Sequence, residues 1–130
     1  NVVEYANSLA KLAEERMANW ESKYDIVSQV RSLGLLIGVA FCGVENSSDD
    51  NIKVSIARTV RNEMLANGVW AICESEPTVR LYPALTMDKE VFLRGLDIME
   101  QAIHNVENAV NNGDQLVGNY PAIPSGVVGF

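Results

Sequence analysis

The chain reads as an α+β domain in which helices cover one face of a small, mostly antiparallel sheet. Three observations predict this. Apolar residues recur at helical spacing in three segments, short apolar runs lie between them, and the last two of those runs are close enough to form a hairpin. With 130 residues and 48% apolar content the chain can build one hydrophobic core, so a single domain is expected over residues 1–113, followed by an irregular tail over 114–130.

Val2, Tyr5, Ala6, Leu9, Leu12, Ala13, Met17 and Trp20 recur every three or four residues and define one face of a first helix. A polar linker near Ser22 to Asp25 follows. Leu35 to Phe41, interrupted by Gly38 and preceded by Gly34, predicts a buried strand that another backbone approaches closely. The polar cluster Glu45 to Asn51 offers N-caps for a second helix, whose apolar face is Ile52, Ile56, Val60 and Met64. Asn67-Gly68 stops that helix. Val69 to Cys73 and Thr78 to Tyr82 predict two strands joined by Glu74, Ser75, Glu76 and Pro77 as an antiparallel hairpin. Asp88 caps a third helix with Glu90 in its first turn; Phe92, Leu96, Met99, Ile103, Val106 and Val110 trace its buried face, and Asn111-Asn112-Gly113 ends it. In the tail, Tyr120, Ile123 and Phe130 are candidates to wrap the domain or a neighbour.

A formal net charge of −7 without a basic stripe excludes nucleic acid and an anionic membrane surface as expected partners. No apolar run approaches the length needed to span a bilayer. The two cysteines, Cys42 and Cys73, fall in predicted strands and read as reduced thiols of a cytoplasmic protein, with a bridge between neighbouring strands as the alternative. The chain begins at Asn1 with helical periodicity already running, as an excised domain does.

The single histidine, His104, lies within the third helix with no partners for a metal site and reads as a surface residue. Asp49-Asp50 and the Glu74, Glu76 pair fall in loops and read as solvated. Asn46-Ser47-Ser48 matches a glycosylation acceptor by chance. Lys11, Lys23, Lys53 and Lys89 lie on polar helix faces or linkers, not in the enclosed pocket that a Schiff-base lysine requires. Arg80 stands apart. Between Val79 and Leu81 in a strand it lies on the opposite face from both, where a guanidinium can meet a carboxylate as a flat fork. A structural carboxylate is its bland alternative partner.

Val79-Arg80-Leu81-Tyr82-Pro83-Ala84-Leu85-Thr86, followed by Asp88-Lys89-Glu90, resembles a C-terminal pattern of class III, pyridoxal-phosphate-dependent aminotransferases. Val30-Arg31-Ser32-Leu33-Gly34-Leu35 resembles the family's Val-Arg-Gly-x-Gly-Leu segment, and the likeness covers roughly residues 1 to 110. Ser32 and Ala84 depart from the family's glycine and proline. The resemblance implies a small C-terminal domain whose large cofactor-binding domain, with the lysine and phosphate contacts for pyridoxal 5'-phosphate, is absent from these residues. It implies that Arg80 grips the substrate carboxylate while an amino group passes between an amino acid or amine and a 2-oxo acid. Arg31 is read as structural, and no catalytic, cofactor-binding or metal-binding residue is assigned. It further implies a homodimer, contact with the chain's own large domain, and an inactive isolated segment. A mutase or a decarboxylase would share the same domain. The alternative is a free-standing module that binds a carboxylate or a protein without catalysis.

Overall fold

The computed structural model describes residues 1–43, 50–74, 76–116 and 128–129, the last two as backbone. The elements are α1 (Val2–Met17), α2 (Trp20–Lys23), β1 (Val27–Leu33), β2 (Leu36–Phe41), α3 (Asp50–Ala66), β3 (Val69–Trp70), β4 (Thr78–Leu81), α4 (Lys89–Asn111) and β5 (Val128–Gly129). β1, β2 and β4 form an antiparallel sheet in that order, with β2 central. Helices pack on one face: α3 lies against β2 and β4, α1 and α2 lie against β1, and α4 packs on α1 and α3. The α+β expectation holds.

β2 and β4 separate their side chains by strict alternation. Ile37, Val39 and Phe41 of β2 and Val79 and Leu81 of β4 are buried against the helices. They join Trp20, Ile56, Met64, Phe92, Leu96, Met99 and Ile103 in one core. Burying a side chain of this size stabilises the fold by about 1.5–3 kcal/mol. Gly38, Ala40, Thr78 and Arg80 occupy the other face, which the helices leave uncovered.

α4 starts as Asp88 dictates, its carboxylate accepting hydrogen bonds from the Glu90 and Val91 amides at 2.9 and 3.3 Å. It ends before Gly113, whose φ of +75° is accessible to glycine at little cost. Gly68, at φ +89°, likewise closes α3. The first helix is shorter than its apolar spacing suggests: α1 stops at Met17, and fully buried Trp20 opens the separate turn α2.

β1 is an addition to the expected elements. Its sequence lacks alternation because Ser28 is an extra residue: Val27 pairs with Phe41 and Gln29 with Ala40, a one-residue bulge. The bulge has a decisive effect on facing. Val27 is buried, so uninterrupted alternation would turn Gln29 and Arg31 inward; the extra residue instead turns Val30 toward the core and Arg31 outward. The Ser28 hydroxyl donates to the Ala40 carbonyl at 3.1 Å and pins the bulge.

Leu33 pairs with Leu36, so Gly34 and Leu35 form a two-residue turn, and Gly34 at φ +59° supplies the positive φ such turns need. No backbone crowds Gly38: a Cβ there would meet the Thr78 Cγ2 at 3.8 Å, so the expected close backbone approach is not what its glycine accommodates. The expected β3–β4 hairpin is reduced to one bridge, where Ile72 and Arg80 exchange backbone hydrogen bonds of 2.9 and 2.8 Å. β3 pairs instead with β5 in parallel, which puts a strand inside the segment expected to be irregular. Tyr120, Ile123, Phe130, Asp49 and Asn46-Ser47-Ser48 lie outside the described residues.

Candidate functional site

The uncovered sheet face forms a trough of about 340 Å³. Its floor is the central strand, where Gly38 and Ala40 project almost nothing. Its walls are Gln29, Arg31 and Leu33 on β1, and Thr78, Arg80 and Tyr82 at and beyond β4. Register sets the cross-section. Arg31 pairs with Gly38, and Gly38 pairs with Arg80, so two guanidinium-bearing residues flank one glycine on a single rung. The neighbouring rung is Gln29, Ala40 and Thr78. Leu33, Leu36 and Tyr82, exposed by 79, 51 and 46%, give the trough an apolar end.

Arg80 stands where alternation places it, with Val79 and Leu81 fully buried on the opposite side. Its Nη2 meets the Glu76 carboxylate at 2.5 Å, and the two side chains keep 34 and 61% of their exposure. That hydrogen bond, opposed by some desolvation, pushes the guanidinium further above its already high range and makes it a fixed cation. Sequence reasoning set Glu76 aside as solvated. It is exposed, but it also holds Arg80, and the signal available was opposite charge on either side of the turn at Pro77, whose carbonyl accepts from the Phe41 amide at 2.8 Å. Arg31 is exposed, donates to Gln29 Oε1 at 2.7 Å, and has no carboxylate partner among the described residues.

Among the described residues, the other titratable groups form no reactive centre. His104 is exposed, 3.3 Å from the Asn108 amide and edge-on to the Tyr24 ring. Tyr24 and Lys23 donate to Glu100 at 2.7 and 3.0 Å. Burial alone would push the Glu100 carboxyl up, but the hydrogen bonds from Tyr24 and Lys23, together with the Lys23 charge, hold it below its usual range. Cys42 lies just beyond β2 and donates to the Asp25 carbonyl, Cys73 is buried, and neither is in a disulfide. Burial pushes the Cys73 thiol up, which makes it a poor nucleophile. Among the described residues, no group of three His, Cys, Asp or Glu could hold a metal ion, and no helix is long and apolar enough to cross a membrane.

A pyridoxal cofactor does not fit these residues. Lys11, Lys23 and Lys89 are exposed and Lys53 is half-buried on α3, so none lies in the enclosed pocket that would favour an unprotonated amine. What the trough can do is hold an anion by its guanidinium groups.

These residues build a helix-backed antiparallel sheet with Arg80 on its open face. The chain belongs to the class III aminotransferase family, which residues 1–103 match. Over 105 residues it is 30% identical to the mitochondrial acetylornithine aminotransferase of Yarrowia lipolytica, covering 80% of this chain and 23% of that protein. Over 107 residues it is 28% identical to the leucine/methionine racemase of Thermococcus litoralis, covering 82% of this chain and 24% of that one. A PMP-bound aminotransferase from Vibrio fluvialis superimposes with a TM-score of 0.71 at 19% identity, over 84% of this chain and 24% of that structure. The chain thus spans about a quarter of the length of these proteins. The match does not favour the free-standing binding module.

Proposed function

We propose that this chain is the small domain of a pyridoxal-phosphate-dependent aminotransferase that moves an amino group between an amino acid or amine and a 2-oxo acid, with Arg80 gripping the substrate carboxylate. The observation that carries this reading is the position of Arg80 on the open sheet face of a class III aminotransferase fold, backed by a packed core and paired with the exposed Glu76. Amino-group transfer needs the substrate's carbon framework fixed while the cofactor serves as electron sink. A fork of two parallel hydrogen bonds from one planar group supplies that orientation.

The cofactor and its lysine then lie on a large domain outside these residues, and the exposed Leu33, Leu36 and Tyr82 offer apolar surface for that domain. The same reading makes the complete enzyme a cytoplasmic homodimer. The test is Arg80→Lys in the complete enzyme. A lysine keeps the charge but loses the fork, so kcat/KM for carboxylate substrates falls by about 10- to 100-fold, from about 1.5–3 kcal/mol, while an amine without a carboxylate is unaffected. Equal losses for both substrates would remove Arg80 from carboxylate recognition.

A further inference from the structure

We infer that Asn112-Gly113, at the C-terminal end of α4, is a site of spontaneous covalent modification at which the asparagine side-chain amide is exchanged for a carboxylate. The sequence holds a second such pair, Asn67-Gly68 at the end of α3, and the fold favours reaction at Asn112.

The chemistry needs only the pair itself and water. The Gly113 backbone nitrogen gives up its proton to solvent base and attacks the Asn112 Cγ. The new N–Cγ bond closes a five-membered succinimide, and the side-chain nitrogen leaves as ammonia. Water then opens the ring at either carbonyl, giving aspartate or an isoaspartate whose backbone runs through Cγ. One water enters, one ammonia leaves, and nothing is oxidised or reduced. Glycine suits the attacking position because it has no side chain to hinder the approach, and asparagine is among the thermolabile residues.

Three comparisons separate the two pairs. The attacking groups start alike: Gly68 donates its amide to the Leu65 carbonyl and Gly113 to the Val110 carbonyl, each at 3.1 Å, and both glycines have positive φ. The side chains under attack differ. Asn67 Nδ2 donates to the Glu63 carbonyl at 2.8 Å, which ties the amide back along α3, whereas the exposed Asn112 side chain makes no hydrogen bond among the described residues. The surroundings differ as well. Gly68 leads straight into β3, where Val69 is buried, so turning the Asn67-Gly68 peptide pulls on a strand packed against the core. Gly113 leads into exposed Asp114 and Gln115, and besides its own bond only the 2.9 Å bond from the Asp114 amide to the Ala109 carbonyl must open. Fraying of a helix end costs little free energy.

The product alters the end of α4. The Gly113 and Asp114 amide bonds together form the cap that closes this helix. A carboxylate at position 112 stands at the negative end of the helix dipole, in a last turn without a basic residue and beside Asp114, in a chain whose formal net charge is already −7. An isoaspartate also lengthens the backbone by one carbon immediately before the positive-φ glycine, which shifts both capping amides out of register. Modification therefore loosens the last turn and the point where the chain leaves it, while Ile103 and Val106, further back on the helix, stay packed in the core.

The experiment incubates the 130-residue chain in mildly alkaline buffer, with and without denaturing guanidinium chloride, and follows aspartate and isoaspartate at positions 67 and 112 by peptide mapping. In the folded chain Asn112 converts about 2- to 10-fold faster than Asn67, the factor that one net hydrogen bond is worth. In denaturant the two rates converge. Equal rates in the folded chain, or faster conversion at Asn67, would overturn the assignment. So would a preference for Asn112 that persists unchanged in denaturant, because flanking residues rather than the fold would then set it, and so would a folded chain inert at Asn112 while the denatured chain converts fully. Asn112→Asp, compared with Asn112→Ser, which cannot close the ring, reads the consequence. Amide hydrogen exchange at Gly113 and Asp114 is several-fold faster in Asn112→Asp, with exchange at Ile103 equal in the two variants. Equal exchange at Gly113 and Asp114 would overturn the claim that the new charge opens the cap.

Discussion

Glu76→Gln separates an Arg80 that waits for a ligand from one that serves only the fold. In the unliganded chain the two side chains meet at 2.5 Å, and the glutamate keeps 61% of its exposure. An ion pair so exposed contributes about 0.2–1 kcal/mol. A substrate carboxylate must displace Glu76 before forming its own fork, which is worth about 1.5–3 kcal/mol, so the observed affinity is the difference between the two. Replacing the carboxylate with a neutral amide removes the competitor and strengthens carboxylate binding by up to about 1 kcal/mol, or about fivefold. The stability lost is equally small. The assay is a butyrate titration of the chain, alongside chemical denaturation to bound the stability change. The predicted signs are opposite: ligand affinity rises as stability falls slightly. Unchanged affinity would show that Glu76 and the ligand do not compete for the same guanidinium edge. Weaker affinity would show that Glu76 holds Arg80 in the binding geometry, and either result refutes the displacement argument.

Added pyridoxal phosphate is expected to give no stoichiometric imine absorbance with the isolated chain and no transamination, because none of the four lysines lies in an enclosed pocket. A saturable one-to-one imine band would contradict this. Deleting Ser28 removes the bulge and leaves Val27 inward, Gln29 outward, Val30 inward and Arg31 outward in unbroken alternation, so the pairing with β2 and the core are kept. Circular dichroism should show cooperative unfolding retained, and a deletion variant that fails to fold would disprove the assignment of Ser28 as the extra residue. Glu100 is held below its ordinary value of 4.5, so the stability it contributes is complete at neutral pH and is lost as pH falls through its lowered folded value. Urea midpoints should therefore fall on acidification below about pH 4.5 more steeply for wild type than for Glu100→Gln, and parallel profiles would remove Glu100 from the acid response.

The helices were legible because their signals are local. Asp88 followed by apolar residues at three- and four-residue intervals specifies the start and buried face of α4 without reference to anything distant. β1 was not legible for an equally definite reason. A bulge inserts one residue into the alternation, leaving Val27 and Val30 three apart, a spacing that belongs to no regular strand. Its existence depends on pairing with β2, which a scan along the sequence does not see. β5 depends on β3 in the same way, through a contact spanning nearly half the chain. The site was legible to the same extent: Arg80 could be placed on the outward face from its two neighbours, whereas Glu76 and Arg31 reach the trough only through a turn and a register that long-range hydrogen bonds determine.

The two faces of the sheet are under different physical constraints, and this bears on how one fold serves different reactions. Ile37, Val39, Phe41, Val79 and Leu81 are each nearly or fully buried, so shortening any of them opens a cavity and costs roughly 1–5 kcal/mol. The outward residues of the same strands carry almost none of that burden. At the outward face a change of side chain alters which ligand fits and leaves the core intact. An aminotransferase and a racemase match this chain at 30 and 28% identity over about a quarter of their own length, so the fold of this part does not by itself fix the reaction. In this chain the trough holds two arginines over a glycine floor, and on the proposed reading Arg80 is the one that meets the substrate carboxylate.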